Sequence, residues 1–232
     1  MRILIKLSGE SLMGEKHHEA YDKAILDHFV KDVKALKDAG HTIALVVGGG
    51  NLFRGPLLTQ TIGVERATGD YIGMLATIQN ALVIRDYFEI HGIETRISSA
   101  IAMAQICESF MPRRARRHLE KGRVVIFAAG LGAPYFTTDS TAVQRALEMG
   151  MDLLIMAKNG VDGVYTADPK KDPTAHKLEL ISASSLLEKD LKVADQSAIA
   201  LAKEHHLKIR IVNTLEITRA LEEGVGTTIT PN

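Results

Sequence analysis

The chain alternates short, continuously apolar runs with longer amphipathic segments. The run Ala44-Leu45-Val46-Val47 contains no polar residue, which is typical of a strand buried on both faces of a sheet. The longer segments carry apolar residues at three- and four-residue steps, as at Ile25, Phe29 and Val33, which is the spacing of an amphipathic helix. Because strands alternate with helices along the chain, the pattern predicts an α/β protein with a parallel sheet covered by helices.

Six strands and six helices follow from this pattern. The predicted strands are residues 3–7, 42–47, 94–97, 123–128, 153–157 and 209–212. The predicted helices are residues 23–38, 70–91, 112–121, 140–149, 183–189 and 196–205. Residues 162–175, which contain two prolines, are predicted to form a long functional loop. No repeat or proline-rich linker divides the chain, so we expect one domain over residues 1–232.

Composition narrows the classes of partner. The 232 residues are 46% apolar, and 28 basic residues balance 28 acidic ones, so a small-molecule partner fits better than a nucleic acid or a membrane surface. Cys107 is the only cysteine, which excludes a disulfide within the chain and suits a reducing compartment. No secretory signal is visible, and no apolar run approaches the roughly 20 residues that cross a bilayer. We therefore expect a cytoplasmic protein.

Glycine, hydroxyl and amide groups follow four of the predicted strands, where open α/β sheets bind ligands. These segments are Ser8-Gly9-Glu10-Ser11, Gly48-Gly49-Gly50-Asn51, "AAGLGAPYFTTD" at residues 128–139 and "KNGVDGVYTADP" at residues 158–169. Glycine lets backbone amides crowd around an anion, while Lys6 and Arg54 place positive charge beside these loops. The triple glycine alone would also fit a tight strand-to-helix turn, but several such loops together predict an anion site. Neither common phosphate-binding glycine motif is present.

Five ordered blocks carry a resemblance to a known family. They are "IKLSGESL" at residues 5–12, "VVGGGNLFRG" at 46–55, "GDYIGMLATIQNAL" at 69–82, "APYFTTDSTA" at 133–142 and "VDGVYTADPKKDP" at 161–173. Together they resemble the bacterial uridylate kinases of the amino-acid-kinase superfamily, over essentially the whole chain. The resemblance implies a three-layer αβα sandwich with a mostly parallel central sheet. It also implies transfer of the ATP γ-phosphoryl group to UMP, with Mg²⁺, in pyrimidine nucleotide synthesis.

The same resemblance assigns the donor-side and catalytic residues. Lys6 would offset charge on the transferring group, Asp195 would orient that lysine, and Mg²⁺ would be held through the nucleotide phosphates without a direct protein ligand. The residues implied for ATP are Lys6, Leu7, Ser8, Gly9, Gly50, Arg54, Asn159, Tyr165 and Asp168, and those implied for catalysis are Lys6, Arg54, Asp139 and Asp195.

The acceptor side is assigned in the same way. Asp70 would bind the ribose hydroxyls of UMP, and its place in the pattern also predicts an N-cap of the helix at residues 70–91. At Gly49 and Gly50 a side chain would occupy space that the transferred phosphoryl must cross. Leu131 and Ala133 depart from the commoner wording "GTGNPFFTT", which leaves backbone contacts at these positions. The residues implied for UMP are Gly49, Asp70, Leu131, Gly132, Ala133, Pro134, Tyr135, Phe136, Thr137 and Thr138.

Assembly and regulation rest on the resemblance alone. It implies a homohexamer that GTP activates and UTP inhibits, with Arg85, Arg96 and Arg123 where related enzymes gather effector phosphates. Two other functions remain open from the sequence. One is a related kinase that phosphorylates a carboxylate or carbamate, and the other is a nucleotide-binding protein that has lost transfer.

Overall fold

A nine-stranded sheet organises the chain, for which the computed structural model describes residues 1–14, 19–53, 61–169 and 171–232. The strands are β1 (Arg2–Leu7), β2 (Thr42–Val47), β3 (Thr95–Ser99), β4 (Glu108–Ser109), β5 (Val124–Ala128), β6 (Leu153–Lys158), β7 (Val164–Tyr165), β8 (Lys177–Leu178), β9 (Leu180–Ser182), β10 (Ile209–Asn213) and β11 (Thr227–Thr230). The helices are α1 (Lys23–Asp38), α2 (Arg66–Ile90), α3 (Pro112–Glu120), α4 (Thr138–Met149), α5 (Ala183–Glu188) and α6 (Gln196–Glu204). Strands β7 and β8 pair with each other outside the main sheet.

The sheet is almost entirely parallel. Its order is β4-β3-β5-β2-β1-β6-β10-β11-β9, and every neighbouring pair is parallel except β10 and β11. At the centre, Leu7 at the end of β1 lies beside Val47 of β2 and Ala157 of β6. The loop after β1 therefore emerges between the loops after β2 and β6, and the glycine-rich segments meet at one edge.

Two hydrophobic cores lie on opposite faces of the sheet. Side chains alternate along β1, so that Ile3 and Ile5 contact the core covered by α1 and α2. Leu4 points to the other core, which α3, α4, α5 and α6 cover. The predicted three-layer αβα sandwich with a mostly parallel sheet is confirmed. Among the described residues, no helix has both the length and the apolar character needed to span a membrane.

The six predicted strands and six predicted helices are all present, with shifted ends. Three short strands of the main sheet, β4, β9 and β11, were not predicted. β4 and β9 have two and three residues, too few to establish an apolar period, and β11 carries three threonines and one isoleucine. The loop predicted at residues 162–175 is partly wrong, since β7 lies within it. That strand is tied to the main sheet because the Val164 amide donates to Thr227 Oγ1 over 2.7 Å.

The N-cap predicted at Asp70 is also wrong. Helix α2 begins at Arg66 with Glu65 before it, so Asp70 lies in the second turn. Arg66 and Ala67 favour a helix by propensity but carry no apolar period, and the first turn was therefore invisible to the pattern.

Gly226 is a glycine whose replacement tests the packing of β10 against the turn before β11. It has a φ of +70°, and a Cβ there would lie 2.2 Å from the Ile211 carbonyl oxygen. Gly40 has a φ of +84° but nothing within 4 Å of its Cβ position. We expect the left-handed backbone to lower the free energy of unfolding by about 1–2 kcal/mol in both alanine variants. Gly226→Ala should lower it further because of the clash. Urea unfolding measures both, and equal losses would contradict the clash.

Candidate active site

A buried carboxylate joins two lysines at the carboxyl edge of the sheet. The Nζ atom of Lys6, in β1, lies 2.7 Å from Asp139 Oδ1. The Nζ atom of Lys158, at the end of β6, donates to Asp139 Oδ2 over 3.1 Å. Lys6 and Asp139 are buried, and the Lys158 side chain is only 17% exposed. The cluster forms because β1 and β6 are neighbours and the first turn of α4 carries Asp139 above their ends. We call these three residues the Lys–Asp–Lys cluster.

Burial and the neighbouring charges shift the pKa values of Asp139 and Lys158. Burial disfavours the ionised form of Asp139, but Lys6 and Lys158 outweigh it and hold the pKa of that carboxyl below its usual value. Burial, followed by the charge of Lys6, lowers the pKa of Lys158, while Asp139 acts in the opposite direction. The site is therefore a poorly solvated place where positive charge is concentrated.

The N-terminus of α4 adds backbone donors beside the cluster. Thr137 caps the helix, since its Oγ1 accepts from the amides of Asp139 and Ser140 at 3.2 Å and 3.4 Å. The same hydroxyl donates to Asp195, which precedes α6. The carboxylate that pairs with Lys6 is thus Asp139, while Asp195 positions the cap. The dipole of the helix favours an anion beside this N-terminus.

The glycines after β1 and β2 allow two loops to touch backbone to backbone. A Cβ at Gly9 would lie 2.4 Å from the Gly50 amide nitrogen, and one at Gly48 would lie 2.9 Å from the Gly9 nitrogen. A Cβ at Gly49 would meet Ala76 of α2 at 2.8 Å, whereas one at Gly50 would face the Glu10 side chain at 3.3 Å. Close packing against α2 therefore requires glycine at position 49, in addition to any space that a phosphoryl group needs.

Asn80 is a site residue that the sequence analysis missed. It lies on α2, is fully buried, and donates from Nδ2 to the Gly48 carbonyl at 2.6 Å and to Asn51 Oδ1 at 2.7 Å. Its Oδ1 accepts from Tyr21 Oη at 2.9 Å and from Asn51 Nδ2 at 3.0 Å. The amide thus fixes the triple-glycine loop to α2. The signal in the sequence is weak, because Asn80 follows another polar residue, Gln79, in "IQNAL".

A cavity of about 170 Å³ opens between α2 and α4 and brings together much of the predicted acceptor set. We call it the α2/α4 cavity. Asp70 is held beside it by two residues. Arg66 Nε donates to Oδ1 at 2.9 Å and to Oδ2 at 3.1 Å, and the Tyr135 amide donates to Oδ2 at 2.8 Å. The predicted residues that line it are Gly49, Asp70, Leu131, Ala133, Phe136, Thr137 and Thr138.

The segment from Leu131 to Thr138 is held in a tight backbone conformation. Gly132 and Tyr135 have φ values of +73° and +70°, and the Gly132 amide donates to the Ala129 carbonyl. Tyr135 and Phe136 remain exposed, at 69% and 55%. Left-handed backbone at a non-glycine residue such as Tyr135 persists only where surrounding contacts impose it, here the bond to Asp70. Gly132, Pro134 and Tyr135 thus shape the loop beside the cavity lining.

A second cavity of about 650 Å³ lies beside β7, and we call it the β7 cavity. Lys158, Tyr165 and Asp168 line it, so the Lys–Asp–Lys cluster reaches this cavity through Lys158. Tyr165 Oη donates to Asp162 at 2.9 Å, which together with burial raises the pKa of the tyrosine. Asn159 lines a different cavity, of about 440 Å³, beside Ser11.

The remaining residues predicted to bind ATP are Leu7, Ser8 and Arg54. The Leu7 side chain belongs to the hydrophobic core, so only its backbone faces the loops, and the Ser8 carbonyl accepts from Ser11. Arg54 lies outside the described residues.

The predicted effector arginines lie at another edge of the sheet. Arg85 and Arg96 line a cavity of about 730 Å³ near β3 and β4. Arg123 contacts Glu94 at 2.7 Å, and the same carboxylate contacts Arg96 at 2.9 Å. Arg96 and Arg123 therefore lie close together. Each of the three arginines has an acidic partner, since Arg85 contacts Asp86 at 2.7 Å.

The fold and the site define the class of protein. Residues 1–213 match the model of the Amino acid kinase family, and the chain belongs to that family. Within it, the chain is similar to the uridylate kinase of Paenarthrobacter aurescens, with 49% identity over 99% of this chain and 94% of the relative. This similarity confirms the resemblance inferred from the sequence blocks.

Solved structures agree with the sequence relatives. The crystal structure of UMP kinase from Bacillus anthracis matches with a TM-score of 0.94 and 35% identity, covering 100% of this chain and 96% of that one. UMP kinase from Ureaplasma parvum matches with a TM-score of 0.91 and 31% identity, covering 99% and 98%. At this identity and coverage the likeness extends to the whole chain.

Asn80→Ala is expected to loosen the triple-glycine loop. The change leaves the Gly48 carbonyl and Asn51 without their buried partner, and an unsatisfied buried group costs about 1–3 kcal/mol. Tyr21→Phe is the matched control, because it removes one hydroxyl donor to the same amide and leaves the bond to Gly48 intact. Urea unfolding should show the larger loss for Asn80→Ala, and a loss no greater than that of Tyr21→Phe would contradict the anchoring role.

Asp139 and Asp32 are expected to respond to pH in opposite directions. Lys6 and Lys158 lower the pKa of Asp139, so its contribution to stability is full above the unfolded value of about 3.9 and is lost as pH falls through the lowered pKa. Asp32 lies on α1 and has a raised pKa, because burial outweighs the opposing hydrogen bond from Thr218. The ionisation of Asp32 therefore removes stability as pH rises above the same unfolded value.

Urea unfolding of the two asparagine variants measures this contrast. The deficit of Asp139→Asn relative to the wild type should shrink toward acid pH. Asp32→Asn should gain on the wild type as pH rises from acid to neutral. The same pH trend in both variants would contradict the opposite shifts.

Proposed function

We propose that the chain is a UMP kinase, which transfers the γ-phosphoryl group of ATP reversibly to UMP and forms UDP and ADP in pyrimidine nucleotide synthesis. One observation carries this proposal beyond family membership. Asp139 joins two cavities, because it follows Thr138 of the α2/α4 cavity and contacts Lys158 of the β7 cavity. Two nucleotides in these cavities would bring their phosphates to the Lys–Asp–Lys cluster.

UMP occupies the α2/α4 cavity in this proposal. Asp70 accepts the ribose hydroxyls, since a carboxylate has more lone pairs than its contacts with Arg66 and Tyr135 use. The Thr138 amide and hydroxyl, at the start of α4, face the phosphate. The uridine ring lies along the segment of Leu131, Gly132, Ala133, Pro134, Tyr135 and Phe136.

ATP occupies the β7 cavity. Tyr165 offers an aromatic face and Asp168 an acceptor for the adenosine, while Asn159 approaches from the neighbouring cavity. The phosphates extend toward the loops after β1 and β2, where Leu7, Ser8, Gly9 and Gly50 present backbone groups. Arg54 follows the second of these loops in the sequence and is assigned to the phosphates by resemblance.

The chemistry requires positioning and charge stabilisation more than proton transfer. The attacking oxygen of UMP is already ionised at neutral pH, so no general base is needed. Lys6 offsets charge on the transferring group, and Asp139 holds that lysine in place. Mg²⁺ supplies further neutralisation of the phosphate oxygens. By resemblance, this cation would be held through the nucleotide phosphates without a direct protein ligand.

The organisation of the chain follows from these two sites. We propose one domain over residues 1–232, with the N-terminal part mainly binding UMP and the C-terminal part mainly binding ATP. The α2/α4 cavity is lined by residues between 49 and 141, and the β7 cavity by residues between 158 and 193, which supports this division. A cytoplasmic location is part of the proposal and is supported by the unpaired Cys107.

Assembly and control complete the proposal. The resemblance supports a homohexamer that GTP activates and UTP inhibits. The proximity of Arg96 and Arg123 around Glu94, next to the cavity that Arg85 lines, supports an effector phosphate site there. Mass in solution measures the assembly, and rates with added GTP or UTP measure the control.

A coupled assay of ADP formation tests the acceptor. We expect UMP to support a faster rate than CMP, N-acetylglutamate or carbamate, and Lys6→Ala to lower kcat by roughly 10²–10³-fold. Lys23→Ala is the control, because Lys23 forms an exposed pair with Asp27 on α1. Equal rates with CMP, or none with UMP, would overturn the acceptor. A carboxylate acceptor preferred over UMP would establish the related kinase instead, and nucleotide binding without any transfer would establish a binding protein.

A further inference from the structure

The turn that follows β5 has left-handed backbone at three positions. Ala129, Gly130 and Gly132 have φ values of +61°, +57° and +73°. Ala129 is not a glycine, and left-handed backbone at such a residue persists only where surrounding contacts impose it. Gly130 also lines the α2/α4 cavity. The shape of this cavity therefore depends on what holds residues 129–132, which we call the β5 turn.

A hydroxyl group on α2 holds the first residue of the β5 turn. Thr77 is buried, and its Oγ1 accepts a hydrogen bond from the Ala129 amide at 2.8 Å. The same hydroxyl donates to the carbonyl of Met74, three residues earlier on α2, at 2.7 Å. This donation fixes the direction of the hydroxyl hydrogen and leaves a lone pair for the amide. Thr77 thereby satisfies a buried backbone donor of the turn.

A buried arginine on α4 holds the second residue of the turn. Arg145 donates from Nη2 to the Gly130 carbonyl at 3.3 Å. Its Nη1 lies 2.6 Å from Glu148, and its Cζ lies 3.7 Å from the centre of the Phe110 ring. The planar guanidinium presents several donors in one fork, so a single side chain reaches both the carboxylate and the turn.

The ion pair within α4 does not by itself explain why Arg145 is buried. Arg145 and Glu148 are three residues apart on one helix, and pairs at this spacing also form on exposed faces, where they stabilise little. A guanidinium loses its hydration on burial, and its contacts must offset that loss. Burial of Arg145 adds the Phe110 ring and the Gly130 carbonyl to its contacts. The buried position therefore brings the arginine to the β5 turn.

We propose that Thr77 and Arg145 are positioning residues for the acceptor nucleotide, which fix the β5 turn from α2 and α4 and so keep the wall of the α2/α4 cavity in its binding shape. They act through the backbone of the turn. This inference rests on the proposed function, because it assumes that UMP occupies this cavity. The two helices that border the cavity thus also fix the turn between them.

Two variants on α4 separate the contact with the turn from the ion pair. Arg145→Lys keeps a cation for Glu148 but lacks the second arm that reaches the Gly130 carbonyl, whereas Glu148→Gln removes the ion pair and keeps that arm. By titration calorimetry, we expect Arg145→Lys to weaken UMP binding about 10-fold and to bind AMP-PNP, an ATP analogue, like the wild type. Glu148→Gln should bind both like the wild type. Wild-type UMP binding in Arg145→Lys would overturn the inference, as would equal weakening in both variants or of both probes.

Thr77 offers a matched pair of variants on the other helix. Thr77→Ser keeps the hydroxyl that accepts from Ala129, whereas Thr77→Val has nearly the same shape without it. We expect Thr77→Val to weaken UMP binding about 10-fold and Thr77→Ser to retain it. Equal UMP binding by the two variants would overturn the inference, and this pair decides it if Arg145→Lys does not fold.

Hydrogen exchange gives a readout that does not depend on the acceptor. In the free protein, a peptide covering residues 129–134 should exchange faster in Arg145→Lys and Thr77→Val than in the wild type, Thr77→Ser and Glu148→Gln. Unchanged exchange in the first two would overturn the inference. If the wild type did not bind UMP, the proposed function would fail, while exchange would still decide whether these residues hold the turn. If UMP were confirmed and both variants bound it like the wild type, only the inference about the turn would fall.

Discussion

The contact of Asp139 with Lys6 and Lys158 is the interaction on which the arrangement of the site depends. It joins β1, β6 and the N-terminus of α4, of which β6 borders the β7 cavity and α4 borders the α2/α4 cavity. The lysines outweigh the effect of burial and keep the carboxyl ionised, so the cluster holds two cations where phosphates would meet. Removing the carboxylate would leave two buried like charges that repel, whereas removing either lysine leaves one balanced pair.

Backbone packing around this cluster has a comparable role. The loops after β1 and β2 approach so closely that Gly9 and Gly48 have no room for a side chain. Asn80 then attaches the second loop to α2, the helix that also carries Asp70. The loops after β1 and β2 and the α2/α4 cavity therefore share one support, and a change at Asn80 is expected to affect both.

Much of the fold could be predicted because buried parallel strands and amphipathic helices have clear patterns. The strands of the sheet centre were predicted correctly for this reason. β4 and β9 are too short to show a period, and β11 carries three threonines and one isoleucine. The start of α2 was misplaced because its first turn carries no apolar stripe. Asn80 and Lys158 were missed because a polar residue within or after an apolar run has no defined role until its partners are known.

The sequence by itself determined the α/β class, the order of the central elements and the presence of glycine and hydroxyl groups at four strand ends, since these depend on local period and composition. The resemblance of its blocks also identified the family, which the comparisons confirmed. Only the tertiary structure decided that Asp139 pairs with Lys6, that Asp195 instead accepts from Thr137, and that Lys158 borders the β7 cavity. These contacts join residues far apart in the chain, and their geometry is set by strand order and register, which no local pattern contains.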